Sequence, residues 1–163
     1  MAVQDCSTGG GYVGSIVPLE FAVACGDIDP STLTFQRLGS LTVKSFSAAS
    51  ETTGTMTDTS SGGFTDTIAT GATFSVSGDG ICAKGSTAWD SHIALVQQYF
   101  ENLASKVTTN LYIRLTFPDL TFTVFSAMTT YDRNGDTSSE VTFSLAFEAS
   151  ESTYNSSIVS VTP

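Results

Sequence analysis

Along most of this chain, apolar and polar side chains alternate with a period of two. In LEFAVAC, Leu19, Phe21, Val23 and Cys25 fall on one face; in SLTVKSF, Leu41 and Val43 oppose Thr42, Lys44 and Phe46. TFSVSG pairs Phe74 with Val76. NLYIRLTF sets Leu111, Ile113, Leu115 and Phe117 against Tyr112, Arg114 and Thr116. LTFTVFSAM aligns Leu120, Phe122, Val124 and Met128, and EVTFSLAFE aligns Val141, Phe143, Leu145 and Phe147. Period-two runs of this kind predict half-buried strands, and the Thr-rich polar faces suit the pleat. SIVSVT predicts one more short strand.

One segment departs from that period. STAWDSHIALVQQYFENLASK carries Trp89, Ile93, Val96, Phe100 and Leu103 at spacings of four and three, which predicts an amphipathic helix over about 87–104 with those five residues as its core stripe. Thr87 followed by Asp90 resembles a capping box, and Asp90 suits the positive end of the helix dipole. Between strands, FPDL predicts a tight connection and the Asn-Gly of DRNGD predicts a hairpin, making residues 111–148 a three-stranded meander. The length of 163 residues fits one domain, and neither a repeat nor a second domain is visible.

The stretch from 47 to 73, SAASETTGTMTDTSSGGFTDTIATGAT, fits neither period. It is dominated by Ser and Thr, has no Lys or Arg, and has Met56, Phe64 and Ile68 as its largest apolar side chains. Strands flank it on both sides, so it leaves one sheet and returns to it. Folded as a hairpin arm over about 47–72 with Gly62 and Gly63 at its tip, it reaches roughly 30 Å at ~3.3 Å per residue. A segment with so little core of its own orders against a partner.

Composition narrows the function. Charged residues make up 13% of the chain, well below the usual share, and the balance is acidic, 16 Asp and Glu against 6 Lys and Arg. The cations Arg37, Lys44, Lys84, Lys106, Arg114 and Arg133 are scattered, which argues against phosphate-tracking contacts to nucleic acid. A surface so poor in charge belongs to a secreted β-protein or to a subunit covered in an assembly. No apolar run reaches the length of a membrane helix, so no membrane insertion is expected, and the first residues lack the basic start of a signal peptide.

No constellation for chemistry stands out. Gly9, Gly11 and Gly14 match the dinucleotide fingerprint literally, but no strand precedes them and a strand follows, so they read as a loop. Asp132, Asn134 and Asp136 open like a calcium loop, yet Phe143 stands where the bidentate carboxylate belongs. Cys6, Cys25, Cys82 and His92 lack zinc spacing; reduced packed thiols are the expectation, with Cys25 on the apolar face of its strand and His92 on the polar flank of the helix. No nucleophile motif of the G-x-S-x-G kind appears. Asn155 heads a glycosylation sequon, with meaning only in a eukaryotic secretory setting. The expectation is a non-enzyme without metal or cofactor.

The order of these elements is similar to that of the major tail tube proteins of tailed bacteriophages, especially those with long non-contractile tails. The similarity covers residues 36–148 and rests on the helix WDSHIALVQQYFENLASK, the run LYIRLTFPD with its Pro-Asp turn, the strand TVFSAMTTY and the Val/Thr-alternating strand that follows. It implies a mainly β domain, a β-sandwich or rolled antiparallel sheet flanked by one helix and carrying the hairpin arm. It further implies six copies in a ring, neighbouring sheets joined into a closed barrel, and rings stacked into a hollow tube. DNA would pass through that tube without specific binding, with tape-measure and tail tip or terminator proteins as partners. The site would be the virion tail, assembled in the host bacterial cytoplasm. Under this resemblance, Glu51, Met56, Asp58, Gly62, Gly63, Phe64, Asp66 and Ile68 of the arm are the candidate inter-ring contacts. The alternatives are a secreted non-enzymatic β-sandwich of the adhesin or carbohydrate-binding type, and the tube protein of a contractile injection system.

Overall fold

The computed structural model describes residues 17–55, 66–154 and 159–161. Its strands are β1 (Leu19–Ala22), β2 (Gln36–Arg37), β3 (Leu41–Thr55), β4 (Asp66–Ile81), β5 (Asn110–Thr116), β6 (Leu120–Asn134), β7 (Thr142–Ala149) and β8 (Val159–Val161), and α1 spans Thr87–Ala104 between β4 and β5. All join one antiparallel sheet of order β2-β1-β5-β6-β7-β4-β3, with β8 laid on the start of β6. The expected meander is β5-β6-β7. Phe46 of β3 stacks on Phe122 of β6 at 4.3 Å although β7 and β4 stand between them in strand order. Flat strands ~4.8 Å apart would keep those rings well separated, so the sheet is curled. The rolled-sheet form of the expectation is the one seen, and the roll is open.

The inside of the roll is the core. Leu111, Ile113 and Leu115 of β5, Val124 and Met128 of β6, and Phe143, Leu145 and Phe147 of β7 are buried in one cluster with Leu19, Phe21, Val76, Trp89 and Leu95. These are the period-two positions read from β5, β6 and β7. Tyr112, on the opposite face, is buried too, because the loop after β1 folds over it. Its hydroxyl donates to the Ile28 carbonyl at 2.9 Å and its ring packs on Phe125.

Several expectations are corrected at the ends of elements. β1 stops at Ala22, so Val23 is 47% exposed and Cys25 is exposed rather than packed. A bulge between Leu41 and Val43 turns Val43 outward and brings Phe46 to the core side with Leu41; one extra residue exchanges the two faces of a strand. β6 pairs with β7 as far as Asn134 and Thr142, so residues 135–141 form the connection and Asn134-Gly135 is not a two-residue turn. Asp136 closes that loop by accepting from the Thr137 amide at 2.6 Å. The FPDL turn is tight, the Phe117 amide donating to the Leu120 carbonyl at 2.7 Å.

Helix α1 has the predicted span but a different cap and a different buried face. Ser86, not Thr87, is the N-cap, its hydroxyl accepting from the Trp89 amide at 3.1 Å; Asp90 does lie in the first turn. The buried helix residues are Trp89, His92 and Leu95. Of the stripe expected in the core, Val96 is half-buried, while Ile93, Phe100 and Leu103 are 36%, 50% and 56% exposed. At ~100° per residue the buried face is turned roughly 60–90° from the apolar stripe. The helix packs on the fold through the Ala88 backbone against Gly39, Trp89 and His92 against Phe143, Tyr131 against His92 and Phe100, and the Tyr99 hydroxyl donating to the Thr129 carbonyl at 3.0 Å.

Candidate functional site

Three features of the outer surface can make contacts, and all come from the β3-β4-β7-β6 half of the sheet. The first is the arm. β4 pairs with β7 only from Ser75 onward, whereas β3 and β4 remain paired from Ala48 and Phe74 out to Thr55 and Asp66. Beyond the sheet the hairpin is therefore a two-stranded ribbon, and residues 47–54 and 68–73 are all exposed. A bulge between Glu51 and Thr52 makes Thr70 the extra residue; its hydroxyl donates to the Glu51 carbonyl at 3.1 Å. Bulges sharpen twist, so the ribbon bends there. Of the predicted arm residues, Glu51 lies beside Gly71, Ile68 is opposite Thr53 and 53% exposed, and Asp66 is in register with Thr55. Met56, Asp58, Gly62, Gly63 and Phe64 lie outside the described residues.

The second feature is the convex face of the same strands. Cross-strand register builds rows of small polar residues: Val43, Asp79, Ser144 and Asp132; Ser45, Ser77, Ala146 and Thr130; Ser47, Ser75, Glu148 and Ala127. None of these side chains is buried, the only charges among them are the carboxylates of Asp79, Asp132 and Glu148, and no Lys or Arg occupies a row. The face is thus broad, smooth and negative. Alternation predicted Ser144 and Glu148 on the outer face; it could not show that acidic residues from three separate strands share one surface.

The third is a pair of free strand edges. Among the described residues β3 pairs only with β4 along its whole length. Among the described residues β6 is paired with β5 only from Thr121 to Ala127, so from Thr129 to Asn134 no described strand lies on its edge away from β7; at the start of that edge the Tyr99 hydroxyl donates to the Thr129 carbonyl at 3.0 Å. The two edges bound opposite sides of one four-stranded ribbon.

His92 was expected on the polar flank of the helix, and the structure corrects this. It is 0% exposed, stacked on Trp89 at 4.9 Å and packed against Phe143 at 4.4 Å, with Nε2 3.4 Å from the Tyr131 hydroxyl. Its Nδ1 has no hydrogen-bond partner. Burial first, and the Arg133 guanidinium second, hold its pKa down to about 4. Arg133 lies over the Trp89 ring and donates from Nε to Cys82 Sγ at 3.1 Å. A neutral imidazole buried among these rings joins helix to sheet. Among the described residues no cluster of His, Cys, Asp or Glu could hold a metal ion.

The same fold occurs in solved structures of repeating assemblies. A chain from the tail of an empty gene transfer agent particle, determined by helical refinement with C6 symmetry, superposes with a TM-score of 0.65 at 18% identity, covering 94% of this chain and 100% of that one. A chain of the SPP1 tail tube gives 0.54 at 10% identity over 85% of this chain and 76% of that one. The chain has the tail-tube fold. A chain of the anti-feeding prophage baseplate, 6-fold symmetrised, also matches, with a TM-score of 0.54 at 11% identity over 83% of this chain and 89% of that one. No protein-family model and no curated protein matches the sequence. The fold thus agrees with the tail-tube resemblance read from residues 36–148, at identities of 10–18%.

Proposed function

We propose that this chain is a structural, non-enzymatic subunit of a phage-type tail tube, six copies forming a ring and rings stacking into a hollow tube through which DNA passes. The observation that carries the reading is the pair of free edges bounding the β3-β4-β7-β6 ribbon. Joining β3 of one copy to the open part of β6 in the next is a heterologous contact, and such contacts close into rings when the rotation allows. Closure pairs both edges of the ribbon, removing the hazard that long unpaired strands otherwise present. The convex face with Asp79, Asp132 and Glu148 then lines the bore, where carboxylates repel phosphate and let DNA slide. The arm reaches a copy in the adjacent ring, with Glu51, Asp66 and Ile68, and residues 56–65 beyond them, at the contact. Tape-measure and tail tip or terminator proteins are the partners this role implies, in a virion tail.

A proline scan at the β3 edge tests the ring contact. Successive amides of an edge strand point alternately to its partner and to the free side, so of Ser47→Pro and Ala48→Pro one removes a donor needed only between copies. That variant should keep the wild-type circular dichroism and lose assembly. Normal assembly by both variants would refute the edge contact.

A further inference from the structure

The arm is acidic, and so is most of the chain it would have to meet. Residues 47–55 and 66–73 carry Glu51 and Asp66 and no Lys or Arg, in a chain of net charge −10. Like charges push such an arm away from most of a second copy, so the few cations decide where it can dock. Two of the six stand together. Arg37 and Lys44 line one cleft at the foot of β3, with Val17, Leu38 and Leu41 as its apolar lining. Arg37 is exposed and makes no ion pair among the described residues; Glu20, its cross-strand neighbour, is engaged by Arg114 at 2.7 Å. Lys44 is half-buried, and burial first and the charge of Arg37 second hold its pKa below the usual lysine value. A carboxylate brought into the cleft relieves that crowding of like charge.

The cleft and the arm lie at opposite ends of one hairpin. The pairing of β3 with β4 begins at Leu41 and Gly80, beside the cleft, and ends at Thr55 and Asp66. From Lys44 to Glu51 is roughly 23 Å at ~3.3 Å per residue, so Glu51 stays out of reach of the cleft on its own copy. Two copies displaced along the hairpin axis bring arm and cleft together. One face of the arm suits the contact: Glu51 and Thr53 alternate to the same side of β3, and the exposed Ile68 lies opposite Thr53. Resting on the tail-tube reading, we propose that the arm of one copy docks in the Arg37–Lys44 cleft of a copy in the adjacent ring, Glu51 against the two cations and Ile68 toward the apolar lining. The contact joins two different surfaces, so it propagates from ring to ring instead of closing on itself.

A charge-swap cycle in the full chain tests this, read as the protein concentration at which tubes form and pellet. Glu51→Lys alone, or Arg37→Glu alone, should raise that concentration at least ~tenfold with unchanged circular dichroism, and the double variant should return to within ~threefold of wild type. Arg37→Glu sets a second carboxylate opposite Glu20, so Lys44→Glu with Glu51→Lys repeats the cycle at the other cation. Because arm and cleft cannot touch within one copy, recovery in either cycle reports a contact between copies. Wild-type tubes together with single variants that assemble normally, or with recovery in neither cycle, overturn the cleft as the arm's receptor and leave the tube reading standing. A wild-type chain that forms no tubes at any concentration overturns both.

Discussion

His92 shows how far one side chain can depart from its sequence neighbourhood. Beside Ile93 in the helix it looks like a residue of the polar flank, but the rings that enclose it, Tyr131 and Phe143, come from β6 and β7 and lie far away in sequence. No periodicity within the helix could announce them. Its protonation is a measurable consequence. The folded-state pKa is about 4 against 6.5 for a free imidazole. Between those values the unfolded chain takes up a proton that the folded chain does not, so stability falls as pH drops through that window. The loss is complete once pH is below the folded value and amounts to something on the order of 3 kcal/mol. Urea unfolding at pH 7 and pH 4.5 should show this decline, and His92→Phe, which keeps the ring stack, should flatten it. An unchanged slope in that variant would place the acid sensitivity elsewhere. Leu95, buried beside it, was likewise not singled out, because the apolar stripe of α1 is centred on the solvent flank.

At the level of elements, the strands were legible where one face is buried along the whole length. β5 and β7 show this best, since Leu111, Ile113, Leu115, Phe143, Leu145 and Phe147 all point inward as their alternation predicts. Legibility failed where the register slips by one residue, at Leu41/Val43 and Glu51/Thr52, because a bulge leaves no mark on composition. The arm was legible as a hairpin, whereas its pairing as a continuation of two sheet strands was not, since Ser and Thr carry no face preference. Its packing predicts a clean separation of folding from assembly. Among the described residues, the ribbon beyond Ser75 is exposed and adds only Phe74 to the core cluster. Deleting residues 51–67 should therefore leave the thermal midpoint of the isolated subunit within a few degrees of wild type, by differential scanning calorimetry, while abolishing polymerisation. Normal tubes from the deletion variant would remove the arm from the assembly contacts.

For the whole molecule, the function follows from what the fold leaves unfinished. Under the proposed function, the open edges of the curled sheet are completed in a closed barrel, with the acidic, small-residue face toward the bore. The charge of that face predicts how cargo behaves. Replacing Asp79 and Glu148 together by Lys should leave assembly intact, because these exposed side chains lie on β4 and β7, the inner strands of the ribbon. It should also make the bore retain DNA in a salt-dependent way, the signature of phosphate contacts, when assembled tubes are mixed with DNA and pelleted. Residues of the three carboxylates are individually unremarkable in sequence; only register brings them together.

Electron cryomicroscopy of the purified protein at high concentration bears on the central claim most directly. The account predicts six-fold rings and stacked tubes of uniform bore, with β3 of each copy paired to β6 of its neighbour and Asp79, Asp132 and Glu148 facing the lumen. Particles that remain monomers under every assembly condition, or tubes whose bore is lined by α1, would contradict it.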